Sequence, residues 1–255
     1  KAEFYDSNHH DELLAEAYCV RAWCYFQLVR LWGDIPLITN FISSLNDPQL
    51  YPERSPKQDV YELIKTDIGL AAQLYKSTTI TDRCRVSRPA ILMLQTDIYL
   101  WLYKVVEKKS EYLTIAETAV DEVLALPQTT LALQGNYRKV FDEEENPEII
   151  WAIHFDKDEN ASQYGQLLCQ SSTLVPKELR NNPIPVNNST NRMAFSDLFY
   201  EKYRNRTPGD TRVSYICSDI KSGGTNYRYT LKFMGEMNGT NRAFSTDTRV
   251  YRFAE

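Results

Sequence analysis

The sequence predicts a mainly α-helical protein, on three observations. Residues 13–39 (LLAEAYCVRAWCYFQLVRLWGDIPLIT) place apolar side chains around most of a helical circumference. Three further segments before residue 127 show the same 3.6-residue periodicity. From residue 128 onward the periodicity is lost and short apolar runs alternate with polar, Asn- and Ser-rich stretches. We therefore predict a helical region, 1–127, and an irregular region with short strands, 128–250.

The first helix is expected to be the centre of the helical region. Its polar residues, Glu12 and Arg30 among them, fall within one narrow strip, and apolar residues cover the opposite side. An apolar surface this wide is typical of a helix buried against several neighbours. Gly33 is expected to supply the left-handed turn that ends the helix, and Pro36 prevents the helix from resuming.

The three later helices have their own start and stop signals. The second is predicted from residue 56 to about residue 76, with Ser55 as its N-cap and Pro56 at its first position. The third follows Ser87 to about residue 105, and the fourth covers 111–126. Helices joined in this way form antiparallel hairpins, so the four helices predict two tetratricopeptide-like pairs, although the strict repeat signature is missing.

Two charged residues interrupt the apolar faces of consecutive helices. Arg21 lies in the middle of the apolar side of the first helix, and Asp67 lies at the centre of the apolar face of the second. An unpaired buried charge costs several kcal/mol, so each should have a partner. We predict a structural ion pair between Arg21 and Asp67, with Asp97 as the alternative partner of the arginine.

Composition excludes some functions and leaves others without support. The formal net charge is −5, and scattered basic residues argue against a nucleic-acid-binding surface. The five cysteines contain no CxxC pair, which favours free thiols and no zinc site. The most apolar run, 90–106, is interrupted by polar residues and is too short to cross a membrane.

No cofactor, metal or catalytic motif is predicted. The acidic and histidine-containing runs at 9–12 and 142–145 lack the spacing of a dedicated metal site and are interpreted as solvated surface. Nucleophile elbows, metalloprotease helices and phosphate-binding loops are missing. A carboxylate pair for glycoside hydrolysis needs only spatial proximity, so that alternative stays open.

The signature stretch also resembles a known family. Arg21-Ala22, Tyr25-Phe26 and the closing Trp32-Gly33-Asp34-Ile35-Pro36-Leu37 look like the signature helix of SusD/RagB proteins. These are nutrient-binding surface lipoproteins of Bacteroidetes. The segments SRPAILMLQTDIYLWLYK and NPEIIWAIHF resemble later parts of the same family. Residues 250–255 resemble the start of a further family helix, and both ends of a longer protein are expected to be missing.

The resemblance implies a function and a place in the cell. It implies an SusD-like α/α scaffold at the outer-membrane cell surface, lipid-anchored through a segment not present in this chain. It further implies non-catalytic binding of a glycan or oligosaccharide for delivery to a SusC-like TonB-dependent transporter. Three alternatives stay open, namely an oligopeptide cargo, a tetratricopeptide-like protein-interaction scaffold and a glycosidase.

The irregular segment 156–190 is the expected location of ligand contacts. Long irregular segments on a helical scaffold commonly carry function, and amide and phenol side chains match the hydroxyl rim and apolar faces of sugars. Within it we select four candidate ligand-binding residues. They are Gln163, Tyr164, Gln166 and Asn187. Plain loop surface is the alternative interpretation for each of them.

Overall fold

The computed structural model describes residues 7–42, 44, 47, 50–158, 165–188, 193, 195–205 and 209–255. The chain forms two compact units, the first from Lys1 to Thr130 and the second from Leu131 to Glu255. The first unit is helical, and the second is built from short helices and short strands. The predicted mainly α-helical fold class is confirmed.

The first unit consists of two antiparallel helical hairpins. Its helices are α1 (Ser7–Trp32), α2 (Lys57–Leu74), α3 (Arg88–Trp101) and α4 (Ser110–Leu124). Helix α3 continues into a π-helical turn, Leu102–Val106. α1 packs along α2, α3 packs along α4, and α2 also contacts α3. The core between them is made of fully buried side chains, including Phe26, Ile64, Ile68, Ile91, Leu94 and Ile98.

The predicted burial of α1 on several sides is wrong. Its inner side is fully buried, but one row of apolar residues on its outer side is exposed among the described residues. These are Val20, Cys24, Leu28, Leu31 and Trp32. The reason is that α1 has α2 as its main neighbour and touches α3 at only a few positions. The width of an apolar surface therefore overestimates how many neighbours cover it.

The turn after α1 supplies the cap of α2. Gly33 has a φ of +71° and its amide donates to the carbonyl of Val29 at 3.0 Å, which ends the helix. The carboxylate of Asp34 accepts a hydrogen bond from the amide of Lys57 at 2.9 Å. This carboxylate satisfies an amide at the start of α2 that has no partner within the helix. The Gly-Asp turn thus joins the end of one helix to the beginning of the next.

The predicted cap at Ser55 is wrong, because the backbone of Ser55 pairs with Ile35 in an isolated β-bridge and Pro56 occupies the N-cap position. Ser87 does occupy the N-cap position of α3, but its side chain makes no capping hydrogen bond. The Ser87 hydroxyl is buried without a hydrogen-bond partner in the described structure.

Arg21 and Asp67 form a bidentate ion pair between α1 and α2. Nε and one Nη of Arg21 each donate to a different carboxylate oxygen of Asp67 at 2.7 Å. The Asp67 side chain is 1% exposed and that of Arg21 is 34% exposed. The hydrogen bond to Asp67 raises the pKa of Arg21. Asp97, the alternative partner, instead lies 3.8 Å from Arg30.

The described part of the second unit contains four two-stranded sheets and several short helices. Its helices are α5 (Lys139–Asp142), α6 (Gly165–Leu168), α7 (Asp197–Arg204) and α8 (Arg212–Ile216), with a 3₁₀ turn at Lys177–Leu179. Its strands are β1 (Ile149–Ile153), β2 (Gln170–Ser171), β3 (Val186–Asn187), β4 (Ser218–Ser222), β5 (Thr225–Tyr229), β6 (Glu236–Asn238), β7 (Asn241–Ala243) and β8 (Thr248–Arg252). The pairs are β1–β8, β2–β3, β4–β5 and β6–β7.

The expectation that residues 250–255 begin a helix is wrong. Residues 248–252 form strand β8, which pairs antiparallel with β1, and the amide of Phe253 donates to the carbonyl of Glu148 at 2.8 Å. An isolated helical turn costs more free energy to nucleate than its few hydrogen bonds return. The β1 backbone instead offers this short segment hydrogen-bond partners along its length. Tertiary pairing therefore decides the conformation here.

The ion pair predicts an asymmetric response to mutation. Arg21→Met leaves a nearly inaccessible carboxylate unpaired and should lower the free energy of unfolding by about 3 kcal/mol. Asp67→Asn should cost less, about 1–2 kcal/mol, because the partly exposed guanidinium can still reach water. Denaturant titration followed by far-UV circular dichroism measures both, and equal losses would contradict this assignment of burial.

Candidate functional site

A cavity of about 390 Å³ lies in the second unit beside the start of α7. It is walled by β5, by the end of α6 and β2, and by the segment that leads into α7. The described lining residues are Leu168, Gln170, Met193, Phe195, Asp197, Asn226, Arg228, Tyr229 and Thr230. We call this space the aromatic cavity. Its volume falls within the range of small-molecule sites, and its lining combines apolar, aromatic and hydrogen-bonding groups.

The local sequence explains how the start of α7 is held. The Ser196 hydroxyl caps α7 by accepting from the amide of Phe199 at 3.2 Å. Asp197 then lies in the first helical turn, where a carboxylate is favoured by the helix dipole. Its carboxylate forms an ion pair with Arg228 of β5. This pair links the helix to the strand that forms the opposite wall.

The Arg228 guanidinium is fixed from a second direction. It lies 4.1 Å from the ring centroid of Tyr200, within the range of a cation–π contact. The Gln170 side-chain amide donates to the Arg228 carbonyl at 2.8 Å, which also fixes Gln170. Gln170 and Arg228 are therefore held in place before any ligand arrives.

Three aromatic rings form a stack along α7. Phe195 and Phe199 have ring centroids 5.3 Å apart, Phe199 and Tyr203 are also 5.3 Å apart, and both pairs are inclined by 22°. In such a stack the inner faces are occupied by neighbouring rings. Phe195 is the terminal ring and lines the aromatic cavity, so it offers aromatic surface to a ligand there.

A second cavity, of about 730 Å³, surrounds the Gly-Asp-x-Arg turn at 209–212. Its charged groups are matched to each other. Arg212 donates to both carboxylate oxygens of Asp210, at 2.7 and 2.8 Å, and Arg252 lies 3.5 Å from the buried Glu148. Because these charges already have partners, the pairs stabilise the turn, and the cavity offers little free charge for a ligand.

The structure separates the four candidate residues selected from the sequence. Gln163 and Tyr164 lie outside the described residues. Gln166 lies on α6 and Asn187 on β3, and the Asn187 side chain donates to the Gln166 carbonyl at 2.7 Å. The structure thus brings these two together, but neither lines the aromatic cavity. Asn187 lines a different cavity, next to Arg180 and Arg242.

Sequence reasoning missed the residues of the aromatic cavity. Phe195, Phe199 and Tyr203 recur every four residues, and this i, i+4, i+8 spacing was available as a signal in the sequence. Asn226 and Arg228 gave no comparable signal, because their position in the cavity depends on the pairing of β5 with β4. The long-range contact with Asp197 is likewise invisible in a linear pattern.

Lys232 lies among aromatic rings in the same unit. Its ammonium is 4.4 Å from the ring centroid of Phe141 and 4.7 Å from that of Phe233. Burial lowers the pKa of Lys232 to about 8, and the nearby cations Arg252 and Arg249 contribute to the decrease. The rings attract the ammonium, but they do not replace the lost hydration.

The first unit is made of helical hairpins, and the loop-rich second unit carries the cavities described above. Residues 2–100 match the family model SusD-like_3, described as "Starch-binding associating with outer membrane". SusD-like protein P38 of Formosa agariphila is 29% identical over 170 residues, which are 63% of this chain and 31% of that protein. The chain thus spans about a third of the length of this relative.

Solved structures share the whole fold. B. fragilis NanU superimposes with a TM-score of 0.82 at 24% identity, covering 100% of this chain and 54% of that one. A laminarin-binding SusD-like protein gives a TM-score of 0.74 at 19% identity, covering 98% and 59%. The chain has the SusD superfamily fold, and the resemblance to SusD-like proteins is confirmed. No helix in the described part of the chain is both long and apolar enough to cross a bilayer.

The lowered pKa of Lys232 predicts a specific pH dependence. Below pH 8 the folded state buries a charge that the unfolded state exposes. Lys232→Met removes this charge and should raise the free energy of unfolding at pH 7 by about 1 kcal/mol. This value allows for the partial access of solvent to the ammonium group. This gain in the free energy of unfolding should decline as the pH rises from 8, because the folded state then loses the buried charge, and it should vanish above pH 10.5.

Denaturant titrations at pH 7, 9 and 11 test this, with Lys221→Met of β4, an exposed lysine, as the matched control. A benefit that is independent of pH would show that added apolar packing, and not the buried charge, is responsible.

Proposed function

We propose that this protein binds a glycan without cleaving it, and that the aromatic cavity is a contact site for the sugar. The observation that carries the proposal is that Phe195 lines one cavity together with fixed polar groups of β2 and β5. A pyranose ring has apolar C–H faces and a rim of hydroxyl groups. An aromatic ring beside amide and guanidinium groups matches both parts of that chemistry.

The roles of the side chains follow from their chemistry. Phe195 stacks against an apolar sugar face. Gln170, Asn226 and Arg228 offer hydrogen-bond donors, and Gln170 and Asn226 also offer acceptors, to the hydroxyl groups. Because Arg228 is already held by Asp197 and Tyr200, little side-chain entropy is lost when a ligand binds.

The comparisons support the ligand class. The matching family model is described as starch-binding, and one protein with the same fold is described as laminarin-binding. We further propose a location at the outer-membrane cell surface, through a lipid anchor. Delivery of the glycan to a SusC-like TonB-dependent transporter is part of the same proposal.

The described lining of the aromatic cavity also favours binding over hydrolysis. Glycoside hydrolysis requires two carboxyl groups across the scissile bond. Asp197 is the one carboxyl-bearing residue among the described lining residues, and it is paired with Arg228. An oligopeptide cargo is less well matched, because an extended peptide is usually recognised through backbone pairing along a sheet edge.

A protein-interaction scaffold is the second candidate, and the exposed apolar row on α1 favours it. Leu31 is 69% exposed and Trp32 58% exposed at the end of that row. Contiguous exposed apolar surface on a helix commonly marks a contact with another protein segment. The two functions use different units and do not exclude each other.

Replacing the aromatic wall tests the glycan proposal. Phe195→Ala should weaken binding of laminarin or starch oligosaccharides at least about tenfold, equivalent to ~1.4 kcal/mol, because the stacking surface is lost. Isothermal titration calorimetry measures the affinity. Phe41→Ala, which removes an 89% exposed phenylalanine from the other unit, is the matched control and should bind like the unmodified protein.

A reducing-end assay on the same samples tests whether the sugar is cleaved. If the unmodified protein binds the glycan saturably and Phe195→Ala binds it with the same affinity, the aromatic cavity is not the contact site for the sugar. Release of new reducing ends by the purified protein would overturn the non-catalytic assignment.

A further inference from the structure

A smaller cavity of about 330 Å³ is lined in part by strand β3, and its described lining contains cations and amides but no carboxylate. Its polar lining includes the side chains of Ser172, Arg180, Asn187, Asn188, Asn241 and Arg242. This composition differs from that of the two cavities described above. In both of those, arginine is paired with aspartate or glutamate.

The two arginines are held by neutral acceptors. Arg180 donates from Nε to the carbonyl of Val175 at 2.8 Å. Arg242 donates from Nε to the side-chain oxygen of Asn181 at 3.0 Å and from one Nη to the carbonyl of Met234 at 3.1 Å. Neither has a carboxylate within ion-pair distance among the described residues. Positive charge is therefore oriented in the cavity without being neutralised.

The position of Asn181 shows that this orientation is built into the loop. Asn181 has a φ of +59°, in the left-handed region that costs energy for a residue with a side chain. In this conformation its side-chain oxygen accepts from Arg242 and from the amide of Val186, at 3.0 and 3.3 Å. The Arg242 guanidinium is also partly buried, and burial lowers its pKa. An anion in the cavity would offset this unfavourable burial of charge.

We propose that this cavity, the arginine cavity, binds an anionic group of the ligand, either a carboxylate or a sulfate ester. Guanidinium groups bind both through paired, charge-assisted hydrogen bonds. The Asn188, Asn241 and Ser172 side chains supply further polar groups around the anion.

The arginine cavity and the aromatic cavity are lined by two strands that pair with each other. Gln170, which lines the aromatic cavity, and Val186, which lines the arginine cavity, are partners across the parallel β2–β3 pair. Contact of one extended ligand with both cavities is part of the same proposal. The identification of the ligand class rests on the proposed glycan function. With that function, the bound glycan is an acidic polysaccharide that carries uronate or sulfate groups.

The first experiment tests the anion site without any glycan. Inorganic sulfate is titrated into the ¹⁵N-labelled full chain while the arginine Nε–Hε resonances are followed by NMR. We expect saturable shifts for Arg180 and Arg242. Resonances of Arg54, an exposed arginine that donates to the Asp34 carbonyl in the other unit, serve as the internal control. Equal, non-saturating shifts of all three would overturn the proposal.

The second experiment uses matched oligosaccharides in calorimetry. The ligands are an oligogalacturonide, its carboxyl-reduced neutral form and a sulfated galactan oligosaccharide. We expect at least one acidic ligand to bind about tenfold more tightly than the neutral form, and comparison of the two acids distinguishes uronate from sulfate. Arg180→Gln should abolish this preference, whereas Arg54→Gln should retain it.

Further variants and outcomes separate the two proposals. Arg180→Lys keeps the charge but loses the planar fork, so it should retain only part of the preference. Equal affinity for the acidic and neutral oligosaccharides would overturn the proposal that the arginine cavity binds an anion and would leave the proposal of glycan binding intact. Saturable sulfate binding with no affinity for any oligosaccharide would support the anion site and overturn the glycan function. A thermal unfolding midpoint confirms that each variant is folded.

Discussion

The paired contact of Arg21 with Asp67 sets the register of the first helical hairpin. Both hydrogen bonds are 2.7 Å long, and the aspartate is almost inaccessible to solvent, so sliding α1 along α2 by one turn would leave its buried carboxylate unpaired. The nearby Gly33–Asp34 turn adds a second constraint, since Asp34 caps α2. Hydrophobic burial holds the hairpin together, and these polar contacts select one alignment among many of similar apolar area.

Arginine contacts also organise the second unit, but their effect there depends on whether the acceptor is a carboxylate or a neutral group. Where an arginine meets a carboxylate, as Arg228 meets Asp197, the pair organises the wall of a cavity. Where arginines meet only carbonyls and amides, as Arg180 and Arg242 do, their positive charge remains available. The distinction between scaffold and ligand site in this unit therefore rests on which guanidinium groups already have an anionic partner.

Sequence reasoning was most accurate where local pattern and burial agree. The four helices of the first unit were located to within a few residues at most boundaries, apart from the earlier start of α1 at Ser7. It failed where a long-range contact decides the outcome. Ser55 pairs with Ile35 instead of capping α2, and residues 248–252 pair with β1 instead of forming a helix. Pairing partners over such separations cannot be identified from periodicity alone.

The candidate site shows the same division. The sequence by itself determined the helical scaffold, the Gly-Asp turn and the resemblance to SusD-like proteins, because these are carried by contiguous residues with a repeating pattern. It indicated Asn187 and an amide-rich segment but not the aromatic wall. Only the tertiary structure decided that Phe195 lines one cavity with residues of β5, and that Arg180 and Arg242 share another without a carboxylate among its described lining residues. The physical reason is that a binding site requires side chains to converge in space, and convergence depends on chain reversals and strand pairing that linear spacing does not encode.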